Sequence, residues 1–182
     1  MVALGQVEIR TQRLLLRPLA EADAEALFAV HADTRVMQYS NSPAWTGIQQ
    51  AHDLVALSHS WLSSGMHLCL GIARKDDGVV MGTCTLFDIN RSSRRAELGF
   101  VLGSLAWGQG YMTEALVAFL NHGFRELDLN RVEADTDPRN LAAIKTLEGL
   151  GFVREGLLRE RWITNGHKSD AALYGLLESD WQ

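Results

Sequence analysis

The stretch Glu97–Leu120, ELGFVLGSLAWGQGYMTEALVAFL, decides how the rest of this chain is interpreted. It begins with the alternation typical of a strand and ends with the 3.6-residue spacing of an amphipathic helix. The turn between them contains Gly103, Gly108 and Gly110. Glycines directly before a helix serve either a sharp turn or the close approach of an anion to exposed backbone amides. This stretch alone leaves both interpretations open.

The composition is that of a globular chain, and 182 residues suit one domain spanning residues 1–182. Hydrophobic residues make up 47%, no apolar run is long enough to cross a bilayer, and no signal segment is expected. The net charge of −5 disfavours a nucleic-acid surface, which needs a positive field. Cys69 and Cys84 lie in apolar runs without metal-ligand spacing. We therefore expect buried thiols, no metal, no membrane and a cytoplasmic location.

Periodicity along the chain predicts the element order β, α, α, β, β, β, α, β, α, β, β. Residues 7–17 are predicted as one strand ended by Pro18, and Thr46 is predicted to cap the second helix. The turn Asn165-Gly166 indicates a hairpin at the end of the chain. Antiparallel meanders together with a strand–helix–strand crossover predict an α/β fold of the α+β type. The sheet is expected to be mixed but mostly antiparallel, with helices on both faces.

A strand, a glycine-rich turn and a helix together form an arrangement that binds phosphate. The first amides of a helix lack intrahelical acceptors, and the helix dipole adds partial positive charge there. The spacing matches neither G-x-G-x-x-G nor a Gly-Lys-Ser/Thr loop, so it is not a dinucleotide fingerprint or a P-loop. The backbone amides that would ring a pyrophosphate are those of Gly108, Gln109, Gly110, Tyr111, Met112 and Thr113.

Two internal segments, AELGFVL…WGQGYMTEA and NRVEADTDPRNLAAIKTLEGLGFVREG, resemble the GNAT superfamily of N-acetyltransferases. The opening RLLLRPLAEADAEALF and the ending GLLRERWITNGHKSDAALYGLL resemble its RimJ/RimL-like branch, named for enzymes that acetylate the N-termini of ribosomal proteins. The resemblance covers nearly the whole chain. It implies the GNAT fold and an enzyme that transfers an acetyl group from acetyl-CoA to a primary amine.

The resemblance also implies which residues contact acetyl-CoA. The superfamily's pyrophosphate loop, Q/R-x-x-G-x-G/A, matches residues 107–112 with Gly110 as the central glycine. Trp107 replaces the first polar residue and Met112 the last small one, but backbone amides survive both replacements. Asn140 matches an asparagine that contacts the cofactor. The pantetheine arm is implied to pair with the backbone of Phe100, Val101 and Leu102.

Glu97 is the candidate general base. A two-residue period places it on one strand face with Gly99 and Val101, on the strand implied to meet the cofactor. A carboxylate there is suited to take a proton from the amine, directly or through water, and a glutamate on this strand fills that role in several relatives. The alternative is an ion pair with Arg94 or Arg95.

The general acid is missing from its usual positions. Relatives carry a serine three residues, or a tyrosine seven residues, after the asparagine, where this chain has Ala143 and Leu147. A thiol with a pKa near ~8.5 gives a thiolate that leaves acceptably without an acid. Tyr111 or Tyr174 can substitute, although both also suit a packing role.

The acceptor is constrained by the free energy of deprotonation. At neutral pH this is roughly 1 kcal/mol for an α-amine and roughly 4–5 kcal/mol for a lysine. One carboxylate therefore favours a protein or peptide N-terminus. The alternatives are a small-molecule amine or a CoA-binding module without catalysis. His31, Tyr39 and Trp45 are candidate acceptor contacts, and the last hairpin is a candidate homodimer edge.

Overall fold

A computed structural model describes residues 7–181. In it the chain builds a sheet of eight strands and four α-helices. The strands are β1 Ile9–Arg10, β2 Leu14–Arg17, β3 Leu68–Arg74, β4 Val80–Asn90, β5 Arg95–Leu102, β6 Arg131–Thr136, β7 Val153–Thr164 and β8 His167–Leu177. The helices are α1 Ala24–Ala32, α2 Gln49–Ser64, α3 Tyr111–Arg125 and α4 Leu141–Gly149.

The strand order is β1-β2-β3-β4-β5-β6-β8-β7, and neighbouring strands run antiparallel except β5 and β6, which are parallel. The crossover that makes this pair parallel passes through α3, as a strand–helix–strand unit requires. The predicted mixed, mostly antiparallel sheet is confirmed. The hairpin turn is also as predicted, because Asn165 and Gly166 both have positive φ, 51° and 78°.

Helices cover both faces of the sheet, as predicted. The apolar stripe of α3, from Met112 through Phe119 to Phe124, is buried against one face, where α4 contributes Leu147. On the other face α1 and α2 pack on alternate residues of β3, including Cys69. Both cysteines are buried free thiols. Within residues 7–181 no helix is long and apolar enough to cross a membrane.

The prediction of one strand over residues 7–17 is wrong. The segment forms β1 and β2, which pair antiparallel through Ile9↔Leu16. Thr11 causes the turn, because its Oγ1 accepts a hydrogen bond from the Leu14 amide at 2.9 Å and its own amide donates to the Leu14 carbonyl. A threonine that bonds its own backbone favours a turn over a continuous strand.

The predicted cap at Thr46 is also wrong. Helix α2 begins at Gln49 and its N-cap residue is Ile48, without a side-chain cap bond. The Gln50 side chain instead reaches back and accepts from the amides of Thr46, at 2.8 Å, and Gly47. The Gln50 side chain therefore fixes the turn before α2 through two amides that precede the helix, and the Thr46 side chain is not the cap.

The junction between β5 and β6 is the feature of the sheet that positions a site. These strands pair over Arg95↔Arg131, Ala96↔Val132 and Glu97↔Glu133. Beyond this point β5 continues to Leu102 and β6 to Thr136, and they no longer pair with each other within the described residues. The two strands diverge, so the sheet opens into a cleft directly after Glu97.

Candidate active site

A cavity of about 350 Å³ occupies the cleft between the diverging strands. Residues from both sides of the junction, the start of α4, β4 and the α1–α2 region line it. They include Glu97, Gly99, Phe100, Val101, Asp135, Thr136, Asp137, Asn140, Ala143, Leu147, Thr83, Thr85, Phe87, His31, Tyr39, Trp61, Cys69 and Trp162. The strand alternation inferred for Glu97, Gly99 and Val101 is confirmed by their shared register with Phe87, Thr85 and Thr83.

The glycine turn presents a row of unpaired backbone amides. Within residues 7–181, none of the six amide nitrogens from 108 to 113 donates a hydrogen bond to the protein. Gly108 and Gly110 have φ of 72° and 77°, and Gly110 is the N-cap of α3. Successive amides in such a turn form a concave anion-binding nest, and the dipole of a 15-residue helix adds to it.

The rear of this turn is held by Arg13. Its Nη1 donates to the Gln109 carbonyl at 2.9 Å, and its Nε donates to Glu114 at 2.6 Å. Its guanidinium also lies 4.3 Å from the centroid of the Tyr111 ring. These contacts turn the Gln109 carbonyl toward Arg13, which leaves the amide side of the turn free for an anion.

The two replacements in the loop pattern have separate structural roles. Trp107 is about half exposed, and its Nε1 donates to the Leu102 carbonyl at 2.8 Å. Met112 is buried in the core beneath α3, away from the amide row. Phe100 and Val101 line the cavity, whereas Leu102 does not, and its carbonyl is occupied by Trp107. Trp107 therefore shares the Leu102 carbonyl with any ligand there, and the contact predicted for the Leu102 backbone stays a prediction.

Asn140 caps α4 beside the same cavity. Its Oδ1 accepts from the Ala143 amide at 3.1 Å, so the side-chain amide is held at the helix start with its Nδ2 as the remaining donor. Asp137, just before it, is buried and accepts from Arg139 at 2.6 Å. The hydrogen bond from Arg139 keeps the pKa of Asp137 below its ordinary value.

Glu97 is half-buried at the point where the strands part, and its carboxylate makes no hydrogen bond or ion pair within the described part of the chain. The alternative of a pair with Arg94 or Arg95 is not realised. Arg94 binds Asp128 and Arg95 binds Glu133.

The surroundings of Glu97 raise its pKa above the ordinary glutamate value. Burial is the main cause, because it disfavours the charged form. The neighbouring carboxylates of Asp135, Asp88 and Glu133 raise the pKa further, and Arg161 opposes them. A carboxylate whose pKa is shifted toward neutrality is a better proton acceptor than a free glutamate.

The expected acid positions carry no acid in the structure. Ala143 and Leu147 both line the cavity with hydrocarbon side chains. The substitute donors are absent from the described lining: Tyr111 packs under Arg13, and the Tyr174 hydroxyl donates to Glu148 at 3.3 Å. The packing role considered for both tyrosines is the one observed.

The acceptor side of the cavity is aromatic. His31 stacks on Trp45 with ring centroids 4.1 Å apart. Burial lowers the pKa of His31 to about 4, so the imidazole is neutral. Tyr39 lines the cavity and lies 5.8 Å from the guanidinium of Arg139. His31 and Tyr39 thus lie where acceptor contacts are expected, whereas Trp45 supports His31 from behind.

Two side-chain contacts of the site were not predicted from the sequence. The Trp162 Nε1 donates to Asp135 Oδ2 at 2.9 Å across the cavity wall, although the two residues are far apart in the chain. Phe87 leans over Gly99, and a Cβ at Gly99 would lie 2.6 Å from its ring. The alternation of RVEADT places Asp135 on the face of Glu133, which was a usable signal. The Trp162 contact had no comparable signal.

Comparisons with known proteins identify the family of this chain. Residues 13–153 match the family model described as "Acetyltransferase (GNAT) domain". An uncharacterized N-acetyltransferase p20 from Bacillus licheniformis is 34% identical over 171 residues, covering 94% of this chain and 96% of that protein. The [ribosomal protein uS5]-alanine N-acetyltransferase of Escherichia coli is 26% identical over 184 residues, covering 97% and 93%.

A solved structure shares the fold. The spermidine N-acetyltransferase of Vibrio cholerae, crystallised with CoA and spermine, superposes with a TM-score of 0.81 at 21% identity, covering 92% of this chain and 97% of that one. Identity at that level is evidence of the fold alone. The match over residues 13–153 and the 34% identical relative show the family as well as the fold. This chain belongs to the GNAT family and is an N-acetyltransferase.

Proposed function

We propose that this enzyme transfers the acetyl group of acetyl-CoA to the N-terminal α-amine of a protein or peptide. One observation carries the proposal. Six consecutive amides without an acceptor among residues 7–181 lie at the start of α3, and Glu97, equally without a partner there, lies where the strands part. An anion-binding nest and a base at the same cleft suit a phosphate-bearing acyl donor and an amine acceptor.

The residues present fit acetyl-CoA, which would supply the acetyl group as a thioester. The amides of residues 108–113 would bind its pyrophosphate. A Cβ added at Gly108 would have no heavy atom within 4 Å, so the turn is open toward the ligand. The backbone of Phe100, on the edge of β5 that faces away from β4, would hydrogen-bond the pantetheine amides, and the Asn140 Nδ2 would donate to the same arm. The Val101 backbone faces β4 instead, through its pair with Thr83.

The chemistry then depends on the position of Glu97. Its carboxylate takes a proton from the acceptor ammonium, directly or through water, and the neutral amine attacks the thioester carbon. An amide of β5 would donate to the developing oxyanion. The C–N bond forms, the C–S bond breaks, and the thiolate departs without a dedicated acid, as the hydrocarbon side chains of Ala143 and Leu147 require.

The choice of an N-terminal acceptor rests on proton affinity and on kinship. A single glutamate suits an α-amine, whose pKa lies near ~8, better than a lysine at about 10.4. A relative that aligns over 97% of this chain is named a [ribosomal protein uS5]-alanine N-acetyltransferase, so its acceptor is a protein. A homodimer through the last hairpin and a cytoplasmic location remain predictions.

The proposal is tested by following thiol release from acetyl-CoA with peptides beginning with alanine or serine. The same peptides with a blocked N-terminus are the matched control. Turnover that requires the free α-amine, with the acetyl group found there by mass spectrometry, supports the proposal. Binding of CoA without any turnover would instead favour a non-catalytic binding module, and acetyl groups on lysine would contradict the choice of amine.

A small-molecule amine is the second candidate. The observation that favours it is the structural neighbour that holds CoA and spermine, together with the acidic lining of the cavity here. Spermidine is therefore included in the assay. A kcat/KM for spermidine well above that of every peptide would favour a small-molecule amine over a protein N-terminus as the acceptor.

A further inference from the structure

The cavity carries negative charge that its own cations do not balance. Three carboxylates line it, those of Glu97, Asp135 and Asp137, and no lysine or arginine is among the described lining residues. Arg139 neutralises Asp137 from outside, and its side chain is 68% exposed. The histidine of the lining, His31, is neutral. Glu97 and Asp135 therefore have no ion pair among the described residues, and Arg161, which acts on Glu97 electrostatically, is outside the described lining.

Asp135 is one of these two carboxylates, and its position on the sheet directs it into the cleft. Glu97 is paired with Glu133 on the parallel strand, and Asp135 lies two residues further along β6 on the same face. It lies beyond the last β5–β6 pair, where the strands have already separated. Asp135 and Glu97 thus face the same cavity from opposite strands.

Asp135 is oriented by a neutral partner. The Trp162 indole donates to its Oδ2 at 2.9 Å, while Oδ1 makes no hydrogen bond within residues 7–181. A register shift in β7 between Leu158 and Trp162, with Glu160 at a φ of 49°, brings the indole to this position. β-Bulges commonly re-aim a side chain beside a site in this way.

The neighbouring glutamate, Glu133, differs from Asp135 in that arginine side chains pair with its carboxylate. Glu133 receives hydrogen bonds from both Arg131 and Arg95, so its charge is balanced by the fold. Asp135, on the same face, has no ion pair among the described residues. A partly buried carboxylate without a cation is costly unless a ligand supplies the positive charge.

Resting on the proposed function, we infer that Asp135, oriented by Trp162, binds the acceptor's ammonium group, and that the site takes amines without an adjacent carboxylate. A free α-amino acid would place its own carboxylate among Glu97 and Asp135, with no lysine or arginine in the lining to receive it. A peptide N-terminus carries an amide at that position. The aromatic rings of Tyr39, Trp61 and Phe87 suit a cation with apolar surroundings.

The proton balance of the step is simple. The ammonium donates one N–H to Asp135 Oδ1 and gives another proton to Glu97. The neutral amine then forms the C–N bond, and the proton that the nitrogen loses on becoming an amide passes to the departing thiolate. Asp135 takes up no proton in this scheme, so its proposed role is to bind the ammonium group and not to act as a second base.

The test measures the kinetics of Asp135→Asn and Trp162→Phe with an N-terminal peptide. We expect the KM for the amine to rise roughly tenfold to a hundredfold in Asp135→Asn, since hydrogen bonds between charged groups are of that strength. It should rise less in Trp162→Phe, and kcat and the KM for acetyl-CoA should change little in both. Asp76→Asn, in the exposed turn after β3, controls for the lost charge.

A second arm compares alaninamide with alanine at equal concentrations of the free-base amine. We expect strong preference for alaninamide, and a smaller preference in Asp135→Asn. Unchanged amine KM in a folded Asp135→Asn protein, or equal use of the two acceptors, would overturn the inference. If no protein releases thiol, the proposed function fails. Calorimetry with alaninamide still tests the role of Asp135 in that case. Binding that is lost in Asp135→Asn supports the inference, and binding that is retained overturns it.

Discussion

Under the proposed function, the two sides of the cleft would recognise their ligands by different means. On the donor side, the turn before α3 offers backbone amides, and its side chains point elsewhere: Trp107 to the Leu102 carbonyl and Met112 into the core. On the acceptor side, the α1–α2 region and β6 offer side chains such as His31 and Asp135. Backbone recognition tolerates sequence change, whereas side-chain recognition does not.

This contrast explains why the donor is easier to assign than the acceptor. A nest of amides needs only the right φ values, which Gly108 and Gly110 provide, and the surrounding letters can vary. Acceptor recognition depends on which carboxylates and rings reach the cavity. The variants below separate the two sides, from the largest expected effect to the smallest.

Replacing Glu97 with glutamine should have the largest effect. We expect kcat to fall roughly a hundredfold to ten-thousandfold, as is usual when a general base is removed. Affinity for CoA should stay within about twofold in calorimetry, because glutamine keeps the size of the side chain. Near-normal turnover would remove Glu97 from the role of base and would leave the acceptor side without one.

Replacing Gly110 with valine should damage the donor side alone. A β-branched residue is strained at a φ of 77°, and its Cβ would lie 3.5 Å from the Arg13 guanidinium that holds the rear of the turn, so the amide row should lose its shape and CoA affinity should fall about a hundredfold. Gly78→Val is the matched control, because Gly78 has a φ of 72° in the turn between β3 and β4 and nothing lies within 4 Å of its added Cβ. Equal CoA affinity in the two variants would refute the placement of the pyrophosphate.

Replacing Arg13 with alanine should have a moderate effect on the same side. The variant loses the bonds that hold the Gln109 carbonyl and Glu114 behind the loop. We expect CoA to bind roughly threefold to tenfold more weakly, the loss typical of one or two hydrogen bonds. Arg10→Ala is the control, since Arg10 pairs only with exposed Glu8 within the described residues. A weaker affinity in both variants would indicate a general charge effect.

Replacing Asp88 with asparagine should produce the smallest change, and on the acceptor side. The Asp88 carboxylate helps to raise the pKa of Glu97, so its removal should lower that pKa. Glu97 acts in its ionised form, so the acid limb of the kcat/KM profile should move to lower pH by a fraction of a unit. Asparagine tolerates the φ of 47° at this position. An acid limb that stays in place or moves upward would contradict the assignment.

Much of the fold could be predicted from periodicity. The helical spacing from Met112 to Phe124 predicted the buried stripe of α3, and Asn165-Gly166 predicted the last hairpin. The errors arose where a side chain acts on its own backbone. The hydroxyl of Thr11 bends one predicted strand into two, and the Gln50 side chain binds the Thr46 amide in the turn before α2, which begins three residues after the predicted cap. Local hydrogen bonds of this kind do not change the periodicity of hydrophobic residues, so the sequence pattern does not reveal them.

The site was only partly predictable for a similar reason. The position of Glu97 followed from strand alternation, and the divergence of β5 and β6 places it in a cavity. The Asp135–Trp162 contact was not foreseeable, because it depends on an irregular register in β7 and joins residues 27 positions apart. Contacts of that kind require the three-dimensional arrangement.

The junction of β5 and β6 has a mechanical consequence. Within the described residues, three residue pairs join β1–β5 to β6–β8, fewer than in any other ladder except the two-pair ladder between β1 and β2 at the sheet edge. A ligand that contacts both halves should stabilise this junction against local opening. It should therefore slow amide hydrogen exchange in β5 and β6 more than in the outer strands. The exchange rates of these two strands would then report substrate binding independently of turnover.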